Sequence, residues 1–235
     1  MHKYRNILIL LFGLLLIGCE KQTSPDTFGV TEELSSIASV EDRSEWDENL
    51  YFSCAAGDGI AAFSLTSLIY QQPMIEKNIV FDYVVYEDES KLASALEDGS
   101  KSVVILDLLD SIDILRNNAD YSVVGLGRFI DSNDQATEMA AILMTQSVLE
   151  VYPTVATGFM SQYSQGIKWL MTDLKRAEAY AKQLEIKTFI GEYTLYTTEN
   201  GADSLMDVIN GVVMDDADKA ILIERIISLE EGSKP

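Results

Sequence analysis

The side chains of this chain that could do chemistry are carboxylates and hydroxyls. The sequence has 38 Asp and Glu against 17 Lys and Arg, and a single histidine, His2. Three short stretches put acids where apolar runs stop: Gly57-Asp58-Gly59, Tyr86-Glu87-Asp88 and Asp107-Leu108-Leu109-Asp110. If those runs are strands of an open α/β sheet, the acids stand at the strand carboxyl ends, where such sheets bind ligands. Gly57-Asp58-Gly59 allows close backbone approach to a small molecule, but it is neither GxGxxG nor a Walker loop, so it carries no nucleotide chemistry. For Asp58 and Asp107, helix capping and turn formation compete with ligand contact. Paired acids such as Asp107 and Asp110 could support glycosidase chemistry, but acid pairs occur throughout this composition.

Two cysteines remain. Cys19 follows an apolar run and precedes a polar one. Lys3 and Arg5 give a positive start, and Ile7 to Ile17 supply about eleven apolar residues, where a bilayer-spanning helix needs about 20. Leu16-Ile17-Gly18-Cys19 resembles a bacterial lipobox, in which the cysteine is acylated and becomes the first residue. Two or three acyl chains would anchor the protein stably. The expectation is a signal peptide over 1–18, a lipidated Cys19, and a protein held on the extracytoplasmic face of the cell membrane. Cys54 has apolar and small neighbours in YFSCAAG and reads as a buried small hydrophobe.

Loss of residues 1–18 would remove His2, Lys3 and Arg5, leaving no imidazole and a chain two charges more negative than its −21. Ser-His-Asp triads, Cys-His dyads and histidine-ligated zinc are then unavailable, so no enzyme and no cofactor is expected. The charge repels nucleic-acid phosphates and anionic lipid headgroups, so nucleic acid is not an expected partner, whereas a cation is attracted. DSNDQ (131–135) alternates oxygen ligands like a calcium loop, but its sixth position is Ala136 and its twelfth Ile142, so the EF-hand pattern fails and no metal is expected. Tyr83, Tyr86, Tyr121 and Trp169 could line an aromatic pocket, or belong to the core.

The elements that must position these residues follow from periodicity. Residues 20–48 are polar and acidic, a tether with room for a short helix near Thr31–Val40. The rest, 49–235, suits one compact domain or two small lobes. Strands are predicted near 51–56, 79–86, 102–107, 121–127 and 140–145, from β-branched, aromatic or unbroken apolar runs. Helices are predicted from Ile60 to Tyr70, from Asp88 to a stop at Gly99, and from Asp110 to Leu115. RFIDSNDQATE reads as an irregular loop, and the remainder as helical. Pro153 starts a helix with Val155, Phe159, Tyr163, Ile167 and Leu170 on one face. Further helices carry Leu174, Ala177, Ala181 and Leu184, then Leu205, Val208, Ile209 and Val212. A last one, capped by Asp215 or Asp216, carries Ala217, Ala220, Ile221, Glu224 and Ile227. Alternation of strand and helix predicts a largely parallel sheet with flanking helices.

SCAAGDGIAAFSLTSLI, VVYEDESKLASALEDGSKSVVILD and YSVVGLGRF resemble bacterial ABC-transporter solute-binding lipoproteins of the type 2 periplasmic binding protein superfamily, in its sulfonate and thiamine-precursor (SsuA/THI5-like) group. AAILMTQSVLEVYPTVATGFMSQYSQGIKWLMTDLKRAEAYAKQLEI resembles the group's second half, with Pro153, Phe159, Ile167, Trp169, Ala177 and Ile186 on its pattern. The resemblance covers about 51–186 and implies capture of a small solute for an ABC permease. Two-lobed members of the group are longer, so this chain is a shortened version. The expected ligand is a neutral or cationic small organic solute, aromatic heterocycles included, bound near Asp58, Gly59, Tyr86 and Asp107. The alternative is a degenerate binding-protein fold acting as an interaction or scaffold module without transport.

Overall fold

In a computed structural model of the chain, the described residues are 49–72, 78–97, 100–133, 135–198 and 202–226. The unbroken apolar run VVIL forms β3 (Val103–Asp107) at the centre of one sheet. Its alternate residues serve two cores. Val103 and Ile105 join one buried cluster, and Val104 and Leu106 join the other. A strand covered on both faces has no solvent side to keep polar, which is why this segment shows no alternation.

β1 (Leu50–Gly57) pairs in parallel with β3 and with β2 (Ile79–Tyr86). The crossovers are α1 (Ile60–Gln71) and α2 (Glu89–Glu97), and α3 (Leu108–Asn117) follows β3. The sheet then departs from the parallel expectation. β4 (Tyr121–Asp131) does not pair with β3. β5 (Thr137–Thr145) lies between them, antiparallel to both. The segment read as an irregular loop is the hairpin joining β4 to β5. A parallel return needs a crossover of about a dozen residues, and the turn between Asp131 and Thr137 is far too short for one. Its sequence suits a tight reversal. Asp131 Oδ1 accepts from the Asn133 amide at 2.6 Å, and Gln135 takes a left-handed φ of 61°.

α4 (Gln146–Val151) follows β5, and helices then come where the residue patterns place them: α5 (Pro153–Thr172), α6 (Leu174–Gln183), α7 (Ala202–Gly211) and α8 (Asp216–Glu224). Pro153 stands at the start of α5, and Val155, Phe159, Tyr163, Ile167 and Leu170 form its buried face. Asp215, not Asp216, caps α8, accepting from the Ala217 amide at 2.7 Å. The stretch between α6 and α7 is not helical throughout. It contains β6 (Gly191–Thr197), antiparallel to β4. The sheet is therefore mixed, with order β2-β1-β3-β5-β4-β6. One face is covered by α1, α4, α5 and α6, the other by α2, α3, α7 and α8. The described residues form this one sheet and its two helical layers. The proposed signal peptide, Cys19, the 31–40 helix, the Gly99 stop and Ile227 lie outside them.

Candidate functional site

β1, β2 and β3 are parallel, so their carboxyl ends meet on one side of the sheet. Asp58 follows β1, Tyr86 ends β2 and Asp107 ends β3. The three line one cavity of about 360 Å³, with Gly57, Glu87, Leu92, Ala93, Leu106, Asp110, Asp113 and Ile114 completing it. The volume lies within the range of small-molecule sites, roughly 300–1,000 Å³. Gly59 is next to the cavity but not on its wall. It stands at the start of α1 with φ 74° and ψ −135°, a conformation that side chains resist, and a Cβ there would meet nothing within 4 Å. Glycine is required for the sharp turn that sets Asp58 on the rim, not for space.

Of the roles open to Asp58, capping of α1 is not the one it takes. The capping position is Gly59, which has no side chain, and no side-chain hydrogen bond closes this helix end. The carboxylate of Asp58 stays on the cavity wall. The neighbouring helices are capped by acids. Asp107 Oδ1 accepts from the Leu109 amide at 2.9 Å at the start of α3. Asp88 Oδ1 accepts from the Ser90 amide at 2.8 Å and from the Ser90 hydroxyl at 2.6 Å at the start of α2, and these bonds hold the Asp88 carboxyl below its usual range. Asp107 is thus both a cap and a wall residue.

The wall carries five carboxylates, Asp58, Glu87, Asp107, Asp110 and Asp113, with the phenol of Tyr86 among them, and no lysine or arginine. Asp113 is paired outward with Arg116 at 2.7 Å, and Arg116 also reaches Asp218. Glu87 and Asp110 belong to the strand-end stretches marked in the sequence. Asp113 was not marked; its signal was the i,i+3 spacing from Asp110 along α3.

A second cavity of about 600 Å³ lies on the other side of Asp107. Its walls are mixed: Arg128, Glu138 and Asp207 with Leu109, Val208 and Val212. The four aromatic residues considered for a pocket do not meet. Tyr86 faces the small cavity. Tyr121 is buried and donates to the Lys101 carbonyl at 2.7 Å. Tyr83 packs against the core on the α5 side, and Trp169 stacks on Tyr180. Cys54 is fully buried, and burial raises its thiol well above the ordinary range, so it is not a ready nucleophile.

No protein-family model matches the chain, and no curated protein matches it in sequence. Solved structures do. The periplasmic aliphatic sulphonate binding protein SsuA from Escherichia coli is similar with a TM-score of 0.52 at 10% identity, over 75% of this chain and 92% of that one. The fold is similar to that of the type 2 periplasmic binding proteins. An ABC transporter structure from Parabacteroides distasonis (TM-score 0.47, 8% identity, 68% of this chain and 91% of that one) is also similar. So is the alkanesulfonate-binding protein SsuA from Xanthomonas axonopodis pv. citri (0.49, 8%, 79% and 98%). Within this binding-protein fold, the acid-lined cavity occupies the strand ends where open α/β sheets take ligands.

Proposed function

We propose that this protein is an extracytoplasmic solute-binding lipoprotein, tethered through Cys19, that captures a small organic cation for an ABC-type permease. The observation that carries the ligand class is the wall of the small cavity, with five carboxylates, one phenol and no basic side chain. Concentrated negative potential in a cleft raises the local concentration of a cation, and the Tyr86 ring offers a face to an ammonium group. The same wall opposes a sulfonate. The case against an anion rests on these carboxylates, since no side chain caps α1. The binding-protein fold supports solute capture as the activity, and the lipobox supports the anchor. No helix among the described residues is long and apolar enough to cross a membrane.

Isothermal titration of residues 20–235 with a diamine, a polyamine, an aromatic ammonium compound and an alkanesulfonate tests the ligand. Saturable heat is expected from at least one cation and none from the sulfonate. Tight sulfonate binding would sink the charge argument. A second reading, an interaction module on a binding-protein fold without transport, is favoured by one observation. The described residues build a single sheet, so they supply one wall of the enclosure that a two-lobed receptor would close. Absence of binding across the panel selects that reading.

A further inference from the structure

The two ends of the sheet differ in kind. β1 starts with Leu50 and Tyr51, and Val80 stands beside Tyr51 in the parallel register. α1 runs back along β1, so Tyr70 in its last turn returns to this same end. Val151 closes α4 and precedes Tyr152, whose ring lies 5.3 Å from that of Phe52. All five, Leu50, Tyr51, Tyr70, Val80 and Val151, are exposed. Tyr70 also opens an aromatic stack. Its ring lies on that of Tyr180, with centroids 3.3 Å apart, and Trp169 stacks on Tyr180 at 5.6 Å. Leu109, Ile190 and Val213 are the exposed large apolar side chains elsewhere among the described residues, and two of them flank the second cavity. The opposite end carries more acids. Asp58, Glu87 and Asp110 follow β1 to β3, Asp107 ends β3, and Asp131 and Glu138 lie at the β4–β5 hairpin, against Asp120 before β4, Glu150 beside Val151 and Asp173 beside Tyr180 at the amino end.

We propose that the amino end of the parallel strands is a membrane-facing surface whose partner is the headgroup layer of a lipid bilayer. Tyrosine and tryptophan suit that layer, with an apolar body and a polar tip. The chain that precedes the described residues enters here, at Asn49 and Leu50. The inference therefore rests on the reading of Cys19 as the lipid anchor. The tether does not impose this orientation, because a stretch of that length can extend by roughly 3.3 Å per residue. It holds the domain at high local concentration beside the bilayer, and the apolar end then selects the face. Charge acts in the same sense. With the carboxylate-rich end turned away, the repulsion between the strongly acidic domain and anionic headgroups is least and is screened beyond about 8 Å. The acid-lined cavity then opens toward the aqueous side.

The test uses the mature acylated protein, Cys19 to Pro235, in phosphatidylcholine vesicles whose acyl chains are brominated close to the headgroup. The sequence has two tryptophans, so Trp46→Phe leaves Trp169 as the sole reporter. Its emission should fall relative to unbrominated vesicles. In Trp46→Phe/Trp169→Phe/Tyr86→Trp the reporter sits at the other end and should keep its intensity. Tyr70→Glu in the Trp46→Phe background should reduce the quenching while the protein still sediments with the vesicles. Equal quenching at both ends, or none at Trp169 in vesicle-bound protein, overturns the orientation and leaves the anchor standing. Failure to sediment with vesicles removes the anchor instead, and this surface with it. A blue shift of Trp169 that grows with protein concentration without lipid would assign the surface to a second copy and also overturn the proposal.

Discussion

Asp107 joins a local structural task to a proposed recognition task, and the two can be separated by one atom. Its carboxylate caps α3 through the Leu109 amide and lines both cavities. Asparagine caps as well as aspartate, whereas loss of a cap to alanine costs about 0.5–2 kcal/mol. Asp107→Asn should therefore keep wild-type urea stability and bind a cation more weakly. Asp107→Ala should lose both. Unchanged cation affinity in the Asn variant would remove Asp107 from the site. The tyrosine hydroxyls of the opposite core give a pH signature. Tyr163 and Tyr193 share a hydrogen bond of 2.9 Å. Burial pushes the Tyr193 hydroxyl up to about 12, and burial together with its neighbours raises Tyr163 and Tyr83 further. An unfolded tyrosine loses its proton near pH 10. Between about 10 and 12 the native state therefore binds more protons than the unfolded one, and stability falls as pH rises. The contribution is fully present below pH 10. Urea titrations across that window should show the decline, and Tyr193→Phe should make it shallower, with Tyr83, Tyr163 and Cys54 still contributing. An equal slope in both proteins would place the alkaline transition elsewhere.

The strand β6 depends on Gly191. Gly191 pairs with Asp131 at the end of the β4–β6 ladder. A Cβ at this glycine would be driven into the Ile130 carbonyl oxygen and to 2.6 Å from the Phe129 ring. Because the first obstacle is backbone, it cannot swing aside. Gly191→Ala should cost about 1–3 kcal/mol, the usual range for overpacking. Hydrogen exchange should show the loss of protection concentrated in β6 and its partner β4. A variant as stable as wild type would mean that β6 does not approach β4 so closely. The same strand shows where sequence reading stops. GEYTLYT is rich in β-branched and aromatic residues, but it is short, half-exposed and surrounded by helical patterns. β3 and β4 were legible because burial on both faces demands unbroken apolar runs. The order of the sheet was not legible. Alternating strands and helices imply parallel neighbours, and only the short reach of the 131–137 turn, misread as irregular, reveals that β5 returns antiparallel between β3 and β4. At the site, the strand-end rule located Asp58, Tyr86 and Asp107 on one side because it depends only on strand direction. It could not find Asp113, which owes its place to the turn of α3, nor show that Asp58 leaves α1 uncapped.

For the molecule as a whole, one quantity should move stability and the proposed binding in opposite directions. A net charge of −21 leaves the folded surface repelling itself, and compaction works against that repulsion. Salt screens it, with a Debye length that shrinks from about 10 Å at 0.1 M to about 3 Å at 1 M. The ion pairs of Arg116 with Asp113 and Asp218 and of Arg176 with Asp173 are too exposed to reverse the trend. Such surface pairs contribute about 0–1 kcal/mol. Among the described residues the buried polar side chains are serines and threonines and none is charged, so added salt does not weaken the core and the midpoint of urea unfolding should rise with salt. Capture of a cation uses the same field in the favourable sense, so its affinity should fall over the same range. Measuring both on one preparation, with sodium chloride as the only variable, makes each a control for the other. If affinity and stability rise together, the ligand is held by apolar contact, and the carboxylates of the cavity wall act in solubility and helix capping. If stability falls with salt while affinity falls too, attractive ion pairs outweigh the net repulsion, and the acidic surface is better organised than its charge count implies.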